Sequence, residues 1–204
     1  MNCFACSTAL RALPVLAIAL MLAGCQRTVF EHAPGPAQAC DPSLAGNWLS
    51  RGDSSSDDGE LEAQIGVDCS LVVIEHKQAG PRQSEPTRLH TARIDGVRYL
   101  WIDAAWANRS FEVVANALDH EHDVYLFAYR NSRSELRLAA PPHRALAHRV
   151  LDKDIPGGVL MQGDDLTVRV DGDSDAIRKL LRKQRLFPFD GALRFRRVGG
   201  ESAP

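Results

Sequence analysis

The stretch TRLHTARIDGVRYLWIDA, residues 87–104, decides the fold class. Two runs rich in β-branched and aromatic residues flank Asp95-Gly96, a pair that suits a type I′ turn because both residues tolerate positive φ. Turn residues at 131–133 and 163–165 separate two further pairs of apolar runs. The sequence therefore predicts consecutive hairpins and an antiparallel sheet.

Two of the predicted strands, 97–104 and 123–130, carry apolar residues on both faces. A strand with one face in water alternates apolar and polar residues, so we expect these strands to be covered on both sides. Two short helices, predicted over 143–152 and 174–185, supply part of the cover. We expect a mainly β, α+β fold: an antiparallel barrel or strongly coiled sheet of about 8–11 strands with two short helices.

The composition bounds the class of protein. The chain has 204 residues, of which 25% are charged and 45% hydrophobic, with a net charge of −2. These values exclude a coiled coil, a collagen and a disordered chain, and the charge argues against a nucleic-acid partner. We expect a single globular domain over 40–198, followed by a loose tail at 199–204.

The N-terminus has the pattern of an export signal. An apolar run at 13–22 is too short to span a bilayer, and it ends in the tetrapeptide LAGC at 22–25. This tetrapeptide resembles the lipobox of bacterial lipoproteins. The resemblance implies a signal peptide over 1–24, lipidation of Cys25 and a lipidated tether over 25–39. An ordinary cleavage site beside a chance cysteine is the alternative.

The same resemblance implies a location. Acyl chains such as palmitate on Cys25 would hold the protein in the bilayer. Gln26, in place of a retaining Asp, suggests the inner leaflet of the outer membrane, facing the periplasm. That compartment is oxidising, so we expect Cys40 and Cys69 to form a structural disulfide. Redox catalysis is the alternative, although the C-x-x-C spacing is missing from the mature chain.

A second resemblance concerns the first strand of the domain. Gly46-Asn47-Trp48 is similar to the G-x-W that opens the first strand of lipocalins. The resemblance implies a calycin-like barrel in which Trp48 plugs one end. A late arginine would stack on the indole, and this chain offers Arg194, Arg196 and Arg197. The alternative is that Trp48 is an ordinary core aromatic.

Two sets of residues are candidates for binding. Aromatic side chains in the central strands either line a ligand cavity or fill a core: Tyr99, Trp101, Tyr125, Phe127 and Tyr129. His120 and His122, placed on one face of a strand among carboxylates, either form a metal site or belong to a solvated turn.

No catalytic motif is present, so we expect a non-enzymatic protein without a cofactor. The anchor and the lipocalin-like opening favour binding of a small apolar ligand or an envelope component. The alternative is a periplasmic inhibitor or immunity protein that caps a cell-wall-degrading enzyme. Its acidic loop at 53–59 would contact the basic enzyme.

Overall fold

The computed structural model describes residues 26–50, 60–77, 80–183 and 186–199. The predicted signal peptide, Cys25, the acidic loop at 53–59 and most of the tail at 199–204 lie outside these ranges. The strands are β1 Gln26–Phe30, β2 Gly46–Ser50, β3 Glu60–Ile65, β4 Ser70–Lys77, β5 Gly80–Gln83, β6 Thr87–Arg88, β7 His90–Ile94, β8 Val97–Asp103, β9 Val124–Asn131, β10 Glu135–Ala139, β11 Gly157–Gln162, β12 Asp165–Val170 and β13 Leu193–Val198. The helices are α1 Ala104–Ser110, α2 His143–Leu151 and α3 Ser174–Lys183.

These strands form one large sheet in the order β11-β12-β1-β9-β10-β13-β2-β3-β4-β5. In addition, β8 pairs with β9, β7 pairs with β8, and β6 pairs with β4. The sheet is mixed because β1 runs parallel to β12, and its described strands do not close into a barrel. The mainly β class is confirmed, with thirteen described strands instead of about 8–11. The purely antiparallel arrangement is wrong at β1 and β12, whereas a barrel stays a prediction.

The hairpin that decided the fold class is present as predicted. Strands β7 and β8 pair antiparallel from Ile94 opposite Val97 to His90 opposite Trp101. Asp95 and Gly96 form the turn with φ of 48° and 82°, the positive values that this turn requires. The hairpins β9–β10 and β11–β12 are also confirmed.

The predicted tether is wrong at its beginning. Gln26–Phe30 is the buried strand β1, which pairs with β12 along its whole length and with β9 at Phe30. Arg27 and Thr28 are polar, so the sequence does not show the apolar pattern of a buried strand here. Both residues are nevertheless buried. Residues 26–30 of the predicted tether are therefore part of the folded sheet.

A further difference is the helix α1, which brings the helices in the described part to three instead of two. It begins directly after β8, where the Asp103 carboxylate accepts a hydrogen bond from the Trp106 backbone N–H at 2.6 Å. This side chain is a typical N-cap. None of the helices in the described ranges has both the length and the apolar character needed to cross a bilayer.

Two cores lie on opposite faces of the sheet, which explains why β8 and β9 are apolar on both faces. One face packs against α2 and α3, through residues such as Leu126, Leu146 and Ile177. The other face encloses a second core around Trp48, beneath α1. The candidate site lies in this second core.

Candidate functional site

Trp48 belongs to the second core. Its side chain is fully buried, and its indole N–H donates to the Leu44 carbonyl at 2.7 Å. The Arg197 guanidinium carbon lies 4.3 Å from the centre of the Trp48 ring. The guanidinium also donates to the carbonyls of Ala45 at 2.7 Å and Ser43 at 3.1 Å. Of the three arginines considered from the sequence, Arg197 is the one that stacks on Trp48.

The disulfide belongs to the same core as Trp48. Cys40 and Cys69 are bonded, with their Cα atoms 5.6 Å apart, as the cysteine count predicted. The bond joins the segment before the 3₁₀ turn Pro42–Leu44 to the β3–β4 turn. The backbone N–H of Leu89, between β6 and β7, donates to the Cys69 carbonyl at 2.8 Å. Three parts of the chain therefore meet at the disulfide.

The second core leaves an apolar cavity of about 130 Å³. All fourteen side chains that line it are apolar, among them Leu100, Phe127, Leu136 and Phe195. We call this space the apolar cavity. It is similar in size to an engineered cavity of ~150 Å³ that stays dry and binds benzene. Since no titratable group lines it, its chemistry is binding by burial of apolar surface.

Helix α1 borders the apolar cavity, and we call it the lid. Trp106 contributes to the lining, and its indole N–H donates to the Glu85 carbonyl at 3.0 Å. Phe111, which is 37% exposed, packs edge-on against Trp106 with ring centres 6.2 Å apart. The next residue, Glu112, forms an ion pair with Arg82 at 2.9 Å. Phe111 therefore lies where the cavity lining meets solvent.

A buried arginine holds the lid from the side of β1. Arg27 donates to Asn108 Oδ1 on α1 at 3.2 Å and to Asp119 Oδ2 at 2.8 Å. Burial acts to lower the pKa of Arg27, but the contacts with Tyr125 and Asp119 raise it above its ordinary value. The side chain is therefore charged, and it fixes α1 and the following loop to β1.

A second buried arginine holds the end of that loop. Arg169 on β12 donates to both carboxylate oxygens of Asp123, at 3.2 and 3.1 Å, and also pairs with Glu31 and Asp171. The Asp123 side chain is almost fully buried. Burial acts to lower the pKa of Arg169, and these carboxylates raise it. The sequence did not indicate that Arg27 and Arg169 are buried, because a single arginine in a short apolar segment is ordinarily expected to be exposed.

The structure does not form the metal site considered for His120 and His122. Both histidines are exposed in turns before β9, not on one face of a strand. The neighbouring carboxylates Asp119 and Asp123 are engaged by arginines. No group of three metal-ligating side chains exists among the described residues.

The five aromatic candidates divide between the two cores. Phe127 lines the apolar cavity, and Tyr125 packs beside it with its hydroxyl on Asn108 at 2.8 Å. Tyr129 lies in the same core but donates to Asp41 at 2.8 Å. Tyr99 and Trp101 belong to the core on the opposite face.

Most of the lining residues that the sequence did not indicate are aliphatic, and the others are Trp106, Phe111 and Phe195. Leu100 and Ile102 alternate with Tyr99 and Trp101 along β8 and point to the opposite face. Period-2 alternation identified the two faces, but it does not say which one borders a cavity when both are apolar. In comparisons with known proteins, the chain matches no protein-family model, no curated protein and no solved structure.

Proposed function

We propose that this protein is a membrane-anchored lipoprotein of the bacterial envelope that binds a small apolar ligand in the apolar cavity. The observation that carries the proposal is a wholly apolar lining beneath a helical lid. A ligand of six carbons gains about 5 kcal/mol at about 0.8 kcal/mol per buried methylene, or a Kd of about 0.2 mM. The ligand is a small hydrocarbon or the end of a longer acyl chain.

A lipocalin-like barrel belongs to the same proposal. It is supported by the stacking of Arg197 on Trp48 and by the 3₁₀ turn Pro42–Leu44 that both residues contact. It is also supported by β6 on β4 and β7 on β8, since only Leu89 separates β6 from β7 along the chain. In this arrangement the cavity is the interior of the barrel, with Trp48 at its closed end and α1 at its mouth.

The anchor would place the lid near a bilayer. The proposal takes lipidation at Cys25 from the LAGC tetrapeptide, and the disulfide supports an oxidising compartment. Arg27, the second residue of β1, contacts Asn108 on α1 at 3.2 Å, so the described chain begins close to the lid. We propose the inner leaflet of the outer membrane, facing the periplasm, as the location.

Native mass spectrometry of the full chain, purified from the membranes of an expressing bacterium, tests both parts of this proposal. We expect a protein mass that includes acyl chains, and an additional apolar molecule of low mass. Cys25→Ser abolishes the acyl mass, while Leu136→Phe fills the cavity and removes the additional molecule. Leu193→Phe is the matched control, because Leu193 is 55% exposed and outside the cavity. An unprocessed chain that begins at Met1 would contradict the anchor.

A further inference from the structure

We propose that a second, larger groove on the opposite face of β8 binds an anionic amphiphile, a single hydrocarbon chain with a carboxylate or phosphate head. The groove has a volume of about 820 Å³ and lies between the β7–β8 turn, the end of α3 and residues 186–190. We call it the amphipathic groove. It shares no lining residue with the apolar cavity, so the inference goes beyond the proposed function.

The floor of the amphipathic groove is apolar and rigid. Tyr99, Leu181, Leu186 and Phe187 are all buried and line it. The Tyr99 and Phe187 rings pack edge to face, with centres 5.6 Å apart. A floor built from buried side chains keeps its shape when a chain lies on it, which lowers the entropic cost of binding. The volume is within the range of about 300–1,000 Å³ that is typical of small-molecule sites.

The rim of the amphipathic groove carries cations that the described residues leave unneutralised. The Arg130 guanidinium carbon lies 4.1 Å from the Phe189 ring centre, and this contact orients the side chain at the rim. Neither Arg130 nor Lys183 forms an ion pair with a described residue, and both are exposed. A third cation, Arg182, is 3.5 Å from Asp95. The arrangement favours an anionic head at the rim.

Tyr99 adds a hydrogen-bond donor to the lining of the amphipathic groove. Its side chain is 4% exposed and carries a phenolic O–H. An anionic oxygen at the rim would give this O–H a charged acceptor. Asp95 and Asp190 also line the groove. Their negative charges disfavour a ligand that carries a second anionic group beside them.

Calorimetric titration of the full chain carrying Cys25→Ser, in detergent-free buffer, tests the inference. The probes are dodecyl phosphate and laurate below their micellar concentrations, with inorganic phosphate and dodecyl maltoside as comparisons. In the chain that also carries Leu136→Phe, which fills the apolar cavity, we expect both anionic amphiphiles to bind with one-to-one stoichiometry and both comparisons to bind at least tenfold more weakly. Each methylene removed from the chain should weaken binding by about fourfold where it is fully covered.

Variants separate this groove from the rest of the surface. Arg130→Gln and Lys183→Gln should each weaken binding of dodecyl phosphate by about two- to fivefold. Arg133→Gln, an exposed arginine outside the groove, should leave it unchanged. Tyr99→Phe removes only the hydroxyl and should weaken binding without unfolding the protein.

Leu136→Phe, which fills the apolar cavity, should leave the affinity of the amphipathic groove for dodecyl phosphate unchanged, so failure of this inference is distinguishable from failure of the proposed function. Equal binding by the variants of Arg130, Lys183 and Arg133 would overturn the inference. So would equal binding of dodecyl maltoside, or an absence of binding by both anionic amphiphiles.

Discussion

Replacing Arg197 by methionine tests how much the stacking of this arginine on Trp48 contributes to the stability of the fold. Methionine keeps the length of the side chain and removes the guanidinium. The variant loses a cation–π contact at 4.3 Å, worth about 0.5–2 kcal/mol, and two hydrogen bonds to backbone carbonyls, worth about 0.5–1.5 kcal/mol each. Because Arg197 is partly exposed, we expect the free energy of unfolding to fall by about 2–3 kcal/mol.

Urea unfolding of the full chain carrying Cys25→Ser, followed by tryptophan fluorescence and circular dichroism, measures this loss. Arg196→Met is the matched control, since Arg196 is exposed, and we expect a change within about 0.5 kcal/mol. A double-mutant cycle with Trp48→Leu should give a coupling energy of about 0.5–2 kcal/mol between the indole and the guanidinium. Equal effects of the two arginine variants, or a coupling energy of zero, would refute the reasoning.

Three other predictions concern the supports of the fold. Arg169→Met leaves the Asp123 carboxylate buried without its partner, and we expect a loss of about 3–5 kcal/mol in urea unfolding; a loss below 1 kcal/mol would contradict the buried pair. Replacing Cys40 and Cys69 by alanine removes a cross-link between residues 29 positions apart, and we expect the free energy of unfolding to fall by about 3–4 kcal/mol. A reductant should cause the same loss in the parent chain and no further loss in the variant. Burial lowers the pKa of His143, so the unfolded chain binds the proton more readily and stability falls as the pH drops below about 6.5. Stability profiles between pH 8 and pH 5 should be flatter for His143→Gln, and identical slopes would count against this origin.

The sequence predicted the features that depend on local chemistry. The hairpin at Asp95-Gly96 follows from two residues that tolerate positive φ, and the cysteine count indicated the pairing of Cys40 with Cys69. The sequence offered three arginines as the stacking partner of Trp48. The register of β13 against β2, which places Arg197 opposite Trp48, decides which of them it is. That register depends on contacts between strands far apart in the chain.

The features that the sequence did not reveal depend on such distant partners. β1 reads as a tether because Arg27 and Thr28 interrupt its apolar residues, and Thr167 and His143 are among the groups that accommodate them. The lid helix α1 was not predicted because it is short and because its N-cap, Asp103, does not differ in the sequence from other polar residues that follow a strand. The apolar cavity is a mismatch in packing between strands, which no local pattern encodes.

Whether the apolar cavity accepts a ligand is measured most directly by an NMR titration of side-chain methyl groups with benzene. We predict saturable shifts at Leu100 and Leu136 of the parent chain with a Kd of about 0.2 mM. The shift at Leu100 should be lost in Leu136→Phe and kept in Leu193→Phe. Methyl signals that do not shift up to the solubility limit of benzene, or a Leu100 shift that is equal in both variants, would contradict binding in the apolar cavity.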